Sequence, residues 1–244
     1  MNTILLLSSL GCLQAASDEA GRAIQALRSQ QSYRTRFKAT IEAPGSDSLK
    51  IEGESVWVKP GVLYIHYTGS GGDEKRIVRV GDRVWIYHEF LEDWVTGQEM
   101  GSPGAGRGVQ NPDEVLAILA KHAGKANDVG GNFVLDFAGA DIEKIMKEQA
   151  SQGDFDWKGS KVAATLELAK GLLTRFTSTA ELVSLDEKLK GKTIKYSAEV
   201  DVVNTNQDKV LRFTVIDEKT KQPVEVPVPD HILQEIEGYL AKKP

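Results

Sequence analysis

Five consecutive segments, Tyr33–Ile41, Leu49–Val58, Val62–Thr68, Lys75–Val80 and Arg83–His88, are each six to ten residues long and rich in β-branched and aromatic residues. The breaks between them are short and carry turn chemistry: Pro44-Gly45, Pro60-Gly61, residues 69–73 and Gly81-Asp82. Strands joined by connections this short can only lie antiparallel to their predecessors, because a parallel return needs a crossover of a dozen or more residues. The first half of the chain is therefore predicted to be an antiparallel meander.

The second half mixes helices into the strands. Residues 101–108, five of them Gly or Pro, read as a loop leading to Asn111-Pro112-Asp113-Glu114, which offers an Asn cap, Pro at the first helical position and acids in the first turn. A helix is expected over Val115–His122, a strand at Phe133–Phe137 and a second helix over Asp141–Gln149. A hairpin joins Val162–Ala169 to Leu172–Leu182 across Lys170-Gly171. Thr193–Val203 and Val210–Ile216 are expected to pair across residues 204–208, before a Pro-rich stretch and a terminal helix over Asp230–Leu240. Upstream, Ala23, Ile24 and Leu27 share a helical stripe within Asp18–Ser32. Several strands with three or four helices lead to an α+β expectation, a curved sheet wrapped over helices, whose concave apolar side is where small hydrophobic ligands bind.

The amino terminus belongs to a different category. Ile4–Leu13 is a short apolar run, too short to span a bilayer, followed by Ala15, Ala16 and Ser17. It reads as a secretory leader over residues 1–17, with one domain over 18–244, and it implies an exported, periplasmic protein. The single cysteine, Cys12, lies inside that leader, so the mature chain holds no disulfide and no thiolate site. Ser9-Leu10-Gly11-Cys12 is also a partial lipobox, and the alternative to simple cleavage is a membrane-anchored lipoprotein acylated at Cys12.

A net charge of −5 over 244 residues lacks the concentrated positive field that a phosphate backbone requires, so nucleic acid is excluded as a partner class. No Gly-x-Ser-x-Gly elbow is present, and His66, His88, His122 and His231 have no metal-ligand partner at a recognised spacing. Gly104, Gly106 and Gly108 fit neither nucleotide-binding glycine pattern. We therefore expect no catalytic residues, no metal and no cofactor. Lys75, Arg76, Arg79 and Arg83 form a local basic cluster, read as a solvated strand face or a surface for acidic headgroups or a partner.

Aromatic residues concentrate between Trp57 and Trp94, with Tyr64, Tyr67, Trp85, Tyr87 and Phe90 between them. The run from Trp57 through Lys59-Pro60-Gly61 to Tyr67, followed by Ile77 to Tyr87 with its Trp85-Ile86-Tyr87, and then Phe90-Leu91-Glu92, resembles the central signature of the LolA family of outer-membrane lipoprotein carriers. The likeness covers roughly residues 52–95 and weakens towards the opening helix, Phe37, Asn204 and Phe213. It implies an incomplete antiparallel β-barrel whose helices form a lid, and whose interior shelters the acyl chains of lipoproteins on their way to the outer membrane. The partners it implies are lipoproteins or other acyl lipids, an inner-membrane releasing transporter and an outer-membrane acceptor, with the carrier working as a monomer. The alternatives on the same scaffold are a lipid-anchored acceptor, an envelope sensor or binding module, and a carrier of another lipid.

By that resemblance Leu63, Ile65 and Tyr67 correspond to cavity-facing positions and Trp57, Trp85 and Tyr87 to the same apolar strands. Strand alternation independently lets Leu63, Ile65 and Tyr67 share one face. A carrier is physically necessary because each methylene exposed to water costs ~0.8 kcal/mol, which makes three bare acyl chains cost on the order of tens of kcal/mol. Two departures stand out. Lys59 occupies the position before Pro60 where the family has Arg, so a lid latch there would act without a guanidinium fork. Residues 141–161 read as an insertion, with Ile142, Ile145 and Met146 packing on the sheet or forming an extra lid helix.

Overall fold

The computed structural model describes residues 19–72, 74–88, 91–96, 99, 112–122, 125–137, 139–148, 155–206, 212–216 and 223–242. The segment expected to be a leader, with Cys12, and also Phe90 and the loop expected at 101–108 lie outside these residues. Helix α1 occupies 19–28. It is followed by β1 (Ser32–Glu42), β2 (Leu49–Val58), β3 (Val62–Gly69), β4 (Glu74–Val80), β5 (Arg83–His88), β6 (Asp93–Thr96), α2 (Pro112–His122), β7 (Asn127–Val129), β8 (Asn132–Phe137), α3 (Gly139–Glu148), β9 (Phe155–Ala169), β10 (Leu172–Ser184), β11 (Thr193–Thr205), β12 (Arg212–Ile216), β13 (Pro223–Pro227) and α4 (Asp230–Lys242). Eleven strands form one sheet in the order β6-β5-β4-β3-β2-β1-β11-β10-β9-β8-β7, in which the successive pairs from β3 to β6 and from β7 to β11 are antiparallel. The expected meander is thus present twice, β1 to β6 and β7 to β11, with β1 hydrogen-bonded to β11.

One expected pairing is corrected. The strand near Val210–Ile216 does not pair with β11. It forms a separate two-stranded sheet with β13, in which Arg212 faces Pro227 and Ile216 faces Pro223. The physical reason is visible in β13: its prolines stand at its two ends, where a missing N–H costs the ladder least, so the Pro-rich stretch is itself a strand. Phe213 lies in β12. Two further short strands, β6 and β7, extend the edges of the large sheet beyond what the sequence reading anticipated.

The chain groups into two compact units. The first holds residues up to Ser29, Phe37–Glu52 and Asp113–Val202. In α1, Ala20, Ala23, Ile24 and Leu27 recur at i, i+3, i+4, i+7 and are all buried. The Arg28 guanidinium forks onto Asp113 of α2, with Nε–Oδ1 at 3.0 Å and a second contact at 3.2 Å. Alternation on β8 buries Phe133, Leu135 and Phe137, which stand opposite Leu166, Ala164 and Val162 of β9. The β9–β10 hairpin turns at Lys170 and Gly171, both with positive φ of 53° and 75°, the geometry of a two-residue primed turn. Helix α3 packs on β9: Ile142 is buried, and a Cβ on Gly139 would meet the Lys158 carbonyl oxygen at 2.2 Å. The segment expected to be an insertion, 141–161, holds most of α3, packed on the sheet, and the first part of β9; residues 149–154 and the side chains of Ile145 and Met146 lie outside the described ones.

The second unit holds Gln30–Arg36, Gly53–Pro112 and Val203–Pro244. Its core forms on one side of β2 to β6, where Val56, Val62, Tyr64, Val78, Val80, Trp85 and Trp94 enclose Val228, Ile232 and Ile236 at and before α4. Tyr239 of α4 reaches the Gly61/Gly81 corner, where the Gly81 N–H donates to the Gly61 carbonyl at 2.9 Å. Burial holds the Tyr64 hydroxyl well above the usual tyrosine pKa.

Candidate functional site

Registers in the second unit separate two faces of the sheet, because residues directly opposite in an antiparallel ladder project to the same side. Tyr64 stands opposite Val78, Val78 opposite Trp85, and Tyr87 opposite Trp94, which is the α4 side. The other side carries Leu63 opposite Arg79 and Arg79 opposite Val84, then Ile65 opposite Ile77, Ile77 opposite Ile86 and Ile86 opposite Val95. Tyr67 follows, opposite Lys75. A Cβ on Gly53 would lie 2.7 Å from the Tyr67 Cβ, so Gly53 shares this face, and alternation along β2 adds Ser55 and Trp57.

The six residues expected from the sequence are thus divided. Trp57, Leu63, Ile65 and Tyr67 are on one face; Trp85 and Tyr87 are on the opposite face, in the core against α4. There Trp85 meets the His231 ring edge-on at 5.2 Å and Tyr87 meets Trp94 at 5.8 Å. Sequence reasoning missed Ile77, Ile86 and Val95, which continue the Ile65 row across four strands. At the ordinary strand spacing this row is about 14 Å long.

Burial along this face is graded. Trp57 and Leu63 are 2% and 0% exposed, Ile77 is 8% exposed, and Ile65, Tyr67, Val84, Ile86 and Val95 are half-buried. The closed end contains polar atoms. Thr35 and Ser55, both buried, share a hydroxyl hydrogen bond of 2.7 Å, and the buried Trp57 Nε1 has no acceptor among the described residues. A buried donor left unmatched costs ~1–3 kcal/mol. Lys59, at the end of this strand region, donates its backbone N–H to the Gln31 carbonyl at 2.9 Å, and its side chain is half-buried.

The basic cluster is divided in the same way. Arg76 and Arg83 lie on the α4 side: Arg76 bonds to Glu74 and stacks over Tyr87 at 4.8 Å, while Arg83 reaches Glu235 at 2.9 Å and stacks over Trp85 at 5.5 Å. Lys75 and Arg79 lie on the opposite side with Ile77 between them.

Three of the four histidines have structural surroundings, while the buried Nδ1 of His88 has no hydrogen-bond partner among the described residues. His66 is 3.1 Å from Glu74, His122 packs edge-on against Phe137 and His231 against Trp85. Among the described residues no group of three or more His, Cys, Asp or Glu is placed to hold a metal ion, and no helix is long and apolar enough to cross a membrane. The first unit contains a cavity of about 660 Å³ lined by Thr40, Glu42, Asp136, Lys161, Glu181 and Lys195 among others. Phe137, Val162, Ala163, Ala180 and Tyr196 also line it, so its walls mix charged and apolar surface, and it includes none of the six residues expected from the sequence.

No known family profile matches the chain, and no curated protein does. Among solved structures, the chain is similar to the lipoprotein LppX of Mycobacterium tuberculosis at 13% identity, with 80% of this chain and 97% of that one covered and a TM-score of 0.42. It is similar to LprF from Mycobacterium bovis at 11% identity, covering 80% and 95%, with a TM-score of 0.41. A LolA superfamily protein from Nitrosomonas europaea matches at 8% identity over 80% and 94%, with a TM-score of 0.33.

Proposed function

We propose that this chain is a non-enzymatic carrier that binds acyl lipids on the face bearing Trp57, Leu63, Ile65 and Tyr67. The observation that carries the reading is the aliphatic row Ile65, Ile77, Ile86 and Val95, continuous across four strands and half-open along most of its length. Such a row offers hydrocarbon contact with no polar interruption, and each methylene it covers is worth ~0.8 kcal/mol. The resemblance of residues 52–95 to the LolA signature supports the same reading and makes lipoprotein acyl chains the first cargo to test. Export through the 1–17 leader, delivery in the periplasm from a releasing transporter to an outer-membrane acceptor, and a monomeric working form belong to this proposal. So does a role for Lys59 as a latch on a lid helix.

The test is Ile65→Glu, assayed for uptake of a fluorescent acyl lipid by the purified chain. An ionised carboxylate in the middle of the row is strongly unfavourable against hydrocarbon, so uptake is expected to be lost while the circular dichroism spectrum is kept. Undiminished uptake by a folded Ile65→Glu protein would place the lipid elsewhere.

A further inference from the structure

One end of the first unit combines exposed aliphatic, aromatic and cationic side chains, and the carrier reading uses none of them. The connection from β10 to β11, residues 185–192, begins at Leu185, which is 50% exposed. The residue before it, Ser184, is buried and stands opposite Phe155 of β9. Phe155 and Trp157, both half-buried, lie with ring centroids 5.2 Å apart, and Leu189 of the connection is half-buried as well. The connection is not free to fold Leu185 away. The Ser184 N–H donates to the Lys192 carbonyl at 2.9 Å, and the Gly191 N–H donates to the Ser184 carbonyl at 2.8 Å. Further along, the Leu189 N–H reaches the Asp186 carbonyl at 3.0 Å, and Ser184 Oγ accepts the Asp186 N–H at 3.2 Å. These bonds fix the backbone on both sides of Leu185, so its exposure is built into the connection.

The charge at this end differs from that of the chain. Residues 155–161 and 181–195 hold six lysines against four acids, whereas the chain as a whole carries a net charge of −5. Pairing strengthens the contrast. Asp156 accepts the backbone N–H groups of Lys158 and Gly159 at 3.2 Å, and Asp186 accepts that of Lys188 at 2.9 Å. Glu181 stands between Lys195 and Lys161 in register, 4.0 Å from the Lys161 ammonium, and Lys158 is 3.8 Å from Glu143 of α3. Lys188, Lys190 and Lys192 are exposed and make no ion pair among the described residues.

We propose that this end of the first unit docks reversibly on a bilayer surface rich in anionic lipid. Leu185 enters the boundary between headgroups and acyl chains, the Trp157 indole lies at headgroup level, and Lys188, Lys190 and Lys192 meet the headgroup charge. Tryptophan suits that depth because its ring is apolar and its N–H polar, and lysine suits it because its stem lies along hydrocarbon while its ammonium stays in water. One exposed leucine is too little apolar area to hold a protein on a neutral bilayer, and the lysines supply the attraction that completes it. The inference concerns the first unit and does not depend on the acyl-binding face of the second.

The experiment is co-sedimentation of the full chain, with Cys12→Ser so that no acyl anchor contributes, on two kinds of vesicle: phosphatidylcholine alone, and an equal mixture of phosphatidylglycerol and phosphatidylcholine. Binding to the mixed vesicles is expected to be roughly fivefold stronger, with the difference lost near about 1 M salt. Leu185→Asp should weaken binding to the mixed vesicles by roughly tenfold. Replacing Lys188, Lys190 and Lys192 together by Gln should bring it down to the level seen on phosphatidylcholine. Leu172→Asp is the control: Leu172 is 53% exposed at the other end of β10, about 40 Å away, and its replacement should leave binding unchanged. Equal binding to the two vesicles, or binding unaffected by Leu185→Asp or by the triple lysine substitution, would overturn the inference. So would the absence of binding to either vesicle, which would leave this surface to a partner protein. Uptake of monomeric acyl lipid by Leu185→Asp should equal that of the wild type, so the docking inference and the carrier reading fail separately.

Discussion

Replacing Gly53 by Ala tests the strand arrangement that creates the face bearing Trp57, Leu63, Ile65 and Tyr67. A Cβ at this position would lie 2.2 Å from the His66 carbonyl oxygen, 2.7 Å from the Tyr67 Cβ and 2.8 Å from the Tyr67 Cα. These are backbone atoms of β3 and the first atom of a side chain, so no rotamer change relieves the overlap. The β2–β3 pair would have to separate locally. Overpacking of a well-filled site costs ~1–3 kcal/mol, and with backbone as the obstacle the upper end applies, about 3 kcal/mol of a total of ~5–15. For a chain of this size that corresponds to a melting temperature lower by roughly 6–12 °C. Gly238→Ala is the matched control: it lies in α4, has nothing within 4 Å of its added Cβ, and should gain up to ~1 kcal/mol from helix propensity. Thermal unfolding followed by circular dichroism reads both. A Gly53→Ala protein melting within about 2 °C of the wild type would refute the β2–β3 contact, and with it the placement of Trp57 on the face of Tyr67.

Burial raises the pKa of Tyr64, so its contribution to stability is fully present below about pH 10 and is lost as the pH rises beyond that value, where the unfolded chain ionises first. Tyr64→Phe should therefore show a shallower loss of stability above pH 10 in denaturant titrations than the wild type, and identical slopes would contradict the burial argument. At Lys59, lipid off-rates measured in parallel for the wild type, Lys59→Leu and Lys59→Arg should differ, with Lys59→Arg releasing most slowly because a guanidinium offers a planar fork of donors. Equal rates in all three would eliminate the latch.

The sequence made the strands legible because their turns are punctuated. Gly81-Asp82 leaves a two-residue loop, and Gly81 has a φ of 59°, as the first central position of a tight primed hairpin allows. With Val80 and Arg83 flanking that loop, the opposition of Ile77 and Ile86 follows by counting. The loop between β3 and β4 is longer, and its length does not fix whether Tyr64 or Leu63 shares a face with Trp85; only the observed register, Tyr64 to Val78 to Trp85, together with the approach of Gly53 to Tyr67, places Trp57 and Trp85 on opposite sides. The pairing of β12 was hidden for a different reason. Prolines at 223 and 227 argue against a central strand, yet both stand at the ends of β13, which is an allowed position. The basic cluster was readable as four charges, but its division between the two faces, Arg76 and Arg83 beside Glu74 and Glu235 and Lys75 and Arg79 on the face of Ile77, depends on alternation and on contacts distant in sequence.

The most direct test of the carrier account is mass spectrometry of an organic extract from the full chain purified from its native cells without detergent. The account predicts co-purified acyl lipid or lipoprotein, present in the wild type and absent from folded Ile65→Glu, because the aliphatic row is where the hydrocarbon lies. A wild-type extract free of any acyl-bearing molecule, from a protein that also takes up none when it is offered, would contradict it.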